Sequence, residues 1–154
     1  MEIVKIMKDI LYHKLYETYE TPIPCSMSNL YYSSYIFLIP LIYSIYYKLY
    51  TISILTLFLF VTSTSFWADY NNKFKLSCDE FIIFLLFIYL YFMMFKIKYY
   101  SVSIICTIYM LILYFTSFYY KINQNYLYSS NIWIIAHISM ALSLMFITNK
   151  LHKT

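Results

Sequence analysis

The chain has 154 residues, of which 62% are hydrophobic and 12% charged. That is more apolar side chain than one soluble core of this length can hide, so lipid has to cover much of it. The formal net charge of +4 is spread through loops and tails rather than gathered into a cluster, which excludes a nucleic-acid surface and is accounted for by membrane contact.

All eleven basic residues are Lys, and there is no Gly. A soluble domain rich in tight turns is hard to build without Gly, whereas helices joined by short loops manage it. The abundance of Tyr, Phe, Ile, Asn and Lys follows AT-rich codon usage, so aromatic content carries no functional reading. Cys25, Cys78 and Cys106 form no CxxC pair, and an odd count gives no disulfide framework. Cys25 and Cys78 fall on one side of the expected topology and are read as two unpaired thiols.

Residues 1–20 place Ile3, Ile6, Met7, Ile10, Leu11 and Leu15 at helical spacing opposite Glu2, Lys5, Asp9 and His13. This predicts an amphipathic helix that lies on the membrane surface, with capping of the bundle as the alternative. Pro22 and Pro24 end it, since each lacks an amide hydrogen and pushes its predecessor out of the α region. Residues 1–28 thus form an interfacial helix and linker. They lack a continuous apolar stretch of signal-peptide type, and targeting is expected to rely on the first span.

Residues 29–154 are expected to form an all-α polytopic transmembrane helix bundle of about five spans, near 30–47, 49–67, 79–95, 99–119 and 132–148. Each run approaches the ~20 residues needed to cross ~30 Å of hydrocarbon. Four or six spans are the alternatives, because the first loop is so short. Pro40 predicts a kink in the first span. The second ends in Thr62-Ser63-Thr64-Ser65 and Trp67, a residue type favoured at headgroups. Asp79 and Glu80 are expected to cap the start of the third span, where acids favour the positive end of the helix dipole.

Five spans put loops 2–3 and 4–5 on the side of the amphipathic helix, side A, and loops 1–2 and 3–4 with the tail on side B. Side A holds six Lys and all seven acids; side B holds Lys48, Lys96, Lys98, Lys150, Lys153 and no acid. This favours a cytoplasmic C-terminus.

The residues able to do chemistry gather toward side A: Ser63, Ser65, Asp69, Asp79, Glu80 and His137. His137 lies ~8 Å inside the fifth span at 1.5 Å per residue. An ionisable residue at that depth either serves function or hydrogen-bonds a neighbouring helix, at Ser63 or a Tyr. Ala136, Ser139 and Ser143 form a small-residue face on the same span, suited to close helix approach. The Thr62–Ser65 hydroxyls are expected to bond local carbonyls.

The run Ser63 to Trp67, then Asp79-Glu80, then His137 in the last span, resembles the alkaline-ceramidase-like (CREST) membrane hydrolase superfamily. The resemblance covers 63–80 plus one distant residue. It implies a helical bundle that binds zinc and hydrolyses lipid amides, with catalytic Ser63, Asp79 and His137 and with His137 and Asp79 as metal ligands. Trp67 falls where the family has a His, Asp79 is displaced by one residue, and Ala141 stands where a second late His belongs; the family also has seven spans. A zinc site would draw its third donor from His13 or Asp69. The chain also looks like small polytopic membrane proteins of large DNA viruses. The reading preferred from the residues is a non-enzymatic membrane component with no cofactor, whose partners are the bilayer and either itself or other membrane proteins.

Overall fold

A computed structural model describes residues 26–69, 72–123 and 125–153. The amphipathic helix expected over 1–20, its Pro linker, His13 and Cys25 lie outside the described residues. The rest is helical throughout. α1 (Ser26–Ser33) runs through a 3₁₀ turn (Ser34–Phe37) into α2 (Leu38–Tyr46); α3 (Tyr50–Ala68), α4 (Lys73–Lys96), α5 (Tyr100–Ile122) and α6 (Tyr126–His152) follow.

Four helical segments, Tyr50–Ala68, Lys73–Lys96, Ile104–Ile122 and Leu127–His152, are each long and apolar enough to cross a membrane. The run expected from sequence as the first span is not one of these four and folds as a composite. Its 8, 4 and 9 residues in α1, the 3₁₀ turn and α2 add up to about 33 Å of rise, enough for the hydrocarbon core. Pro40, fully buried in the first turn of α2, explains the break. Its ring nitrogen has no hydrogen for the carbonyl four residues back, and the 3₁₀ turn just before it absorbs the mismatch.

α6 is the hub, packing against α1, α2, α4 and α5, while α3 packs against α1, α2 and α4. Phe37, Ile52, Leu59, Leu86, Met94 and Leu144 form the main apolar core. Polarity is nonetheless inverted relative to a water-soluble protein. Ser34, Ser44, Ser63, Ser117, Ser129 and Ser130 are buried and hydrogen-bonded, while Ile42, Phe58, Phe84, Phe92, Ile105 and Leu142 are exposed. In water this would present an apolar surface far beyond that of a monomeric soluble protein. Against lipid it is the expected arrangement, because hydrocarbon solvates Ile and Phe whereas hydroxyls need partners inside.

Both side B turns solve the problem of a chain without Gly in the same way. Lys48 and Lys98 adopt φ of 59° and 62°, the left-handed region where Gly normally ends a helix. Leu49 N–H donates to the Ser44 carbonyl and Lys48 N–H to that of Ile45; Tyr99 N–H donates to Met94 and Lys98 N–H to Phe95. Each is a Schellman turn. A side chain costs roughly 1–2 kcal/mol in this conformation, and the extra unfolded-state freedom of Gly offsets part of that. Lys48→Gly and Lys98→Gly are each expected to stabilise the bundle by about 0.5–1 kcal/mol, read as a raised unfolding midpoint in detergent.

The third span begins earlier than expected, and its cap is different. Asn72 Oδ1 accepts from Phe74 N–H and Lys75 N–H and starts α4 at Lys73. Asp79 and Glu80 therefore stand in the second turn and do not cap it. The Asn72 side-chain amide, seven residues before Asp79, already satisfies the first free N–H groups. The loop expected over 121–131 is likewise shorter, since α5 continues to Ile122 and α6 resumes at Tyr126.

Candidate functional site

The three residues singled out from sequence, Ser63 on α3, Asp79 on α4 and His137 on α6, border one cavity of about 910 Å³. They do not bond to one another. Each spends its hydrogen bond on a different neighbour.

His137 Nδ1 lies 2.7 Å from Ser33 Oγ on α1, so its partner is neither Ser63 nor a Tyr. Ser33 Oγ also lies 2.9 Å from the Leu30 carbonyl, and one hydroxyl proton cannot serve both acceptors. If it goes to the carbonyl, His137 donates from Nδ1 and Nε2 is a bare acceptor; if it goes to Nδ1, Nε2 carries the hydrogen. The ring is packed between Phe37 and Trp67, with centroids 5.3 and 6.3 Å away.

Ser63 Oγ lies 3.1 Å from Ser34 Oγ in the 3₁₀ turn. Asp79 Oδ1 accepts from Thr62 Oγ1 at 2.9 Å. The other hydroxyls of the Thr62–Ser65 string divide as the helix geometry dictates. Thr64 bonds back to the Phe60 and Val61 carbonyls, as expected of a hydroxyl near a helix end, whereas Ser63 reaches across to another element. Elsewhere Ser53 Oγ donates to Ser44 Oγ, joining α3 to α2, and Ser117 Oγ sits 2.9 Å from Ser129 Oγ, joining α5 to α6. Hydroxyl clasps thus run between α1 and α6, the 3₁₀ turn and α3, α2 and α3, α3 and α4, and α5 and α6.

Trp67 ends α3 as an interfacial residue would, but its ring turns inward against Phe66, Trp133 and His137. On the small-residue face of α6, Ala136 is buried and lines the cavity, while Ser143 donates to the Ser139 carbonyl one turn back. Cys78 and Cys106 are free thiols.

Among the described residues the donor set is incomplete for zinc. Among the described residues no three His, Cys, Asp or Glu side chains come together to hold a metal ion. Asp69, one candidate third ligand, instead accepts from Lys75 Nζ at 3.0 Å, and His13, the other, lies outside the described residues. His152 ends α6 with its ring tilted against Tyr47, 4.1 Å between centroids, about 22 Å along the helix from His137. No step through a metal is derived.

Asp69 lies in the side A loop just beyond α3, and Lys75 stands in the first turn of α4 beside it. Lys75, and secondly Asn72, hold the exposed Asp69 carboxyl below its usual range. A lowered carboxyl value means that the pair's small contribution is present above the free value of ~3.9 and fades as pH falls through the folded one. Exposure and salt keep it small. In a carboxyl NMR titration, the Asp69 midpoint is expected to rise toward the free value in Lys75→Met and at high salt.

Ser33 and Ser34 were not singled out by sequence reasoning. The only signal is a Ser pair inside an apolar run, and nothing in one dimension links Ser33 to a residue 104 positions away. No protein-family model, curated protein or solved structure matches the chain. The fold, the four long apolar helices and the inverted polarity define the class: an all-α helix bundle fitting a multi-pass integral membrane protein.

Proposed function

We propose that this protein is a non-enzymatic component of its membrane, acting through helix–helix contacts. The observation that carries the reading is where its buried polar groups spend their hydrogen bonds. Ser33–His137, Ser34–Ser63 and Thr62–Asp79 each tie one helical element to another, which is the use of polar side chains that holds membrane bundles together. A nucleophile would instead need His137 within reach of Ser63.

The contact surface is the outer face of α5. Ile105, Ile108, Ile112, Phe115 and Tyr119 form one exposed stripe at helical spacing, on a helix with only 6% of its span buried in the bundle, against 39% for α6. Its partner is a second copy of the chain or another membrane protein. Side B, with Lys48, Lys96, Lys98, Lys150 and Lys153 and no acid, is taken as the cytoplasmic face.

A photo-cross-linking residue at Ile108 or Ile112 in native membranes is expected to give an adduct of discrete mass, and one at Ile54 on the exposed face of α3 to give none. Equal yields at all three positions, or none anywhere, would contradict the contact surface.

The second reading, a diverged metal-dependent lipid-amide hydrolase, is favoured by one fact: Ser63, Asp79 and His137 border the same cavity. Metal content and lipid-amide turnover of purified protein separate the two readings. The scaffold reading expects sub-stoichiometric zinc and no turnover, with His137→Ala and Asp79→Ala changing neither. Near-stoichiometric zinc, lost in both folded variants, would favour the hydrolase.

A further inference from the structure

The cavity is more than a meeting place for three polar residues, because it continues as a cleft along α4 and α5. On α4 it is lined at every helical return, through Asp79, Glu80, Ile83, Phe87, Tyr91 and Phe95. This stripe covers about 24 Å of helix axis, most of the thickness of a hydrocarbon core. The facing wall is Met110, Tyr114 and Phe118 of α5, with Met140 of α6 behind.

Several lining residues, among them Phe84, Ile88, Phe92 and Leu111, are also exposed on the outer surface. The cleft therefore opens sideways to the bilayer. Its volume of about 910 Å³ stands at the upper end of the ~300–1,000 Å³ range of small-molecule sites.

Polarity is distributed unevenly along this cleft. The half toward side B is apolar and aromatic. At the side A mouth, Glu80 on α4 and Lys121 on α5 line the two walls, half-buried, and Trp133 of α6 also lines the cavity. One carboxylate and one ammonium across a mouth, above an apolar slot open to lipid, complement a headgroup carrying both charges. The Lys121 ammonium attracts a phosphate, and the Glu80 carboxylate attracts the headgroup's positive ammonium, quaternary or not, by charge alone. A headgroup with a phosphate and no ammonium offers nothing positive to the Glu80 wall of the mouth.

We infer that the α4–α5 cleft is a binding site for one zwitterionic phospholipid of the side A leaflet, with an acyl chain between the helices and its headgroup between Glu80 and Lys121. The headgroup takes over whatever interactions these two side chains make without it. The site is separate from the outer stripe of α5, so it stands whether or not that stripe meets a protein.

The test uses the full chain, reconstituted with a phosphatidylcholine bearing a photoactivatable acyl chain. Labelled peptides are mapped, and lipid retention is read by native mass spectrometry. Labelling is expected on α4 and α5, with phosphatidylcholine retained at least fivefold over phosphatidylglycerol. Met110→Trp, which fills the slot, is expected to lower labelling at least fivefold, with Phe84→Trp at the open edge as a second such variant should the first not fold. Ile54→Trp is expected to leave labelling unchanged. Glu80→Lys is expected to shift retention toward phosphatidylglycerol. Labelling spread evenly over all lipid-facing helices and insensitive to both cleft-filling variants would overturn the site. Equal retention of the two lipids by the wild type would overturn the headgroup assignment.

Discussion

Phe58→Asp is expected to cost about 3 kcal/mol of membrane insertion, the penalty of an acid near the centre of a span. Phe58 sits mid-way along α3 with half of its surface exposed, and it does not border the cavity. In a water-soluble bundle of the same shape, such a surface substitution would change stability by no more than about 0.5 kcal/mol. The sign and size therefore report the solvent around the helix rather than the packing. The penalty is also depth-dependent: Ala68→Asp, at the side A end of α3 and exposed, is expected to insert nearly as well as wild type. The inserted fraction in a membrane-translation assay reads both variants.

His137→Ala is expected to lower stability in detergent by about 2–3 kcal/mol, near the bottom of the range for emptying a buried site. Lipid tails are as apolar as the core, so the transfer contribution that raises such costs in water is largely missing. What remains is lost contact with Phe37 and Trp67 and a lost bond to Ser33. His137→Phe keeps a ring and loses only the bond, for a cost of about 1 kcal/mol. Ser33→Ala is expected to match His137→Phe, and the double variant to cost little more than either, because both remove the same interaction. Unfolding midpoints of the four proteins give the coupling directly. If His137→Phe were as costly as His137→Ala, the Ser33 bond would dominate over packing.

The helices were legible because the two solvents leave opposite marks. Long runs of Ile, Leu, Phe and Tyr broken by Lys48, by Asp69 to Lys75 and by Lys96 to Lys98 read directly as spans and turns, and α3 falls within one residue of its expected bounds at both ends. The start of α4 was misjudged for a physical reason. Acids near an apolar run look like a helix start, yet Asn72 makes the cap and lets the helix begin two turns before the run turns apolar.

For the site, the location was legible and the bonding was not. Ser63, Asp79 and His137 could be placed on one side of the membrane by counting residues from the span ends, and they do share a cavity. Their partners could not be read. Ser33, Ser34 and Thr62 are ordinary hydroxyls in apolar runs, and which of them meets which helix depends on how α1 and the 3₁₀ turn that follows it are rotated against α3 and α6. The α4–α5 cleft was equally invisible. The stripe from Asp79 to Phe95 has the same composition as a face packed on a neighbour, and only the placement of α5 shows that it is open.

Cysteine accessibility in intact and permeabilised vesicles tests the five-span bundle most directly. Cys25, Cys78 and Cys106 are replaced by Ser, and single cysteines are introduced at Lys48, Asn72, Lys98, Asn123 and Lys153. Positions 72 and 123 are expected to label from one side, and 48, 98 and 153 from the other. If position 48 labelled together with 72, either the composite first segment or α3 would fail to cross, and the five-span bundle would be contradicted.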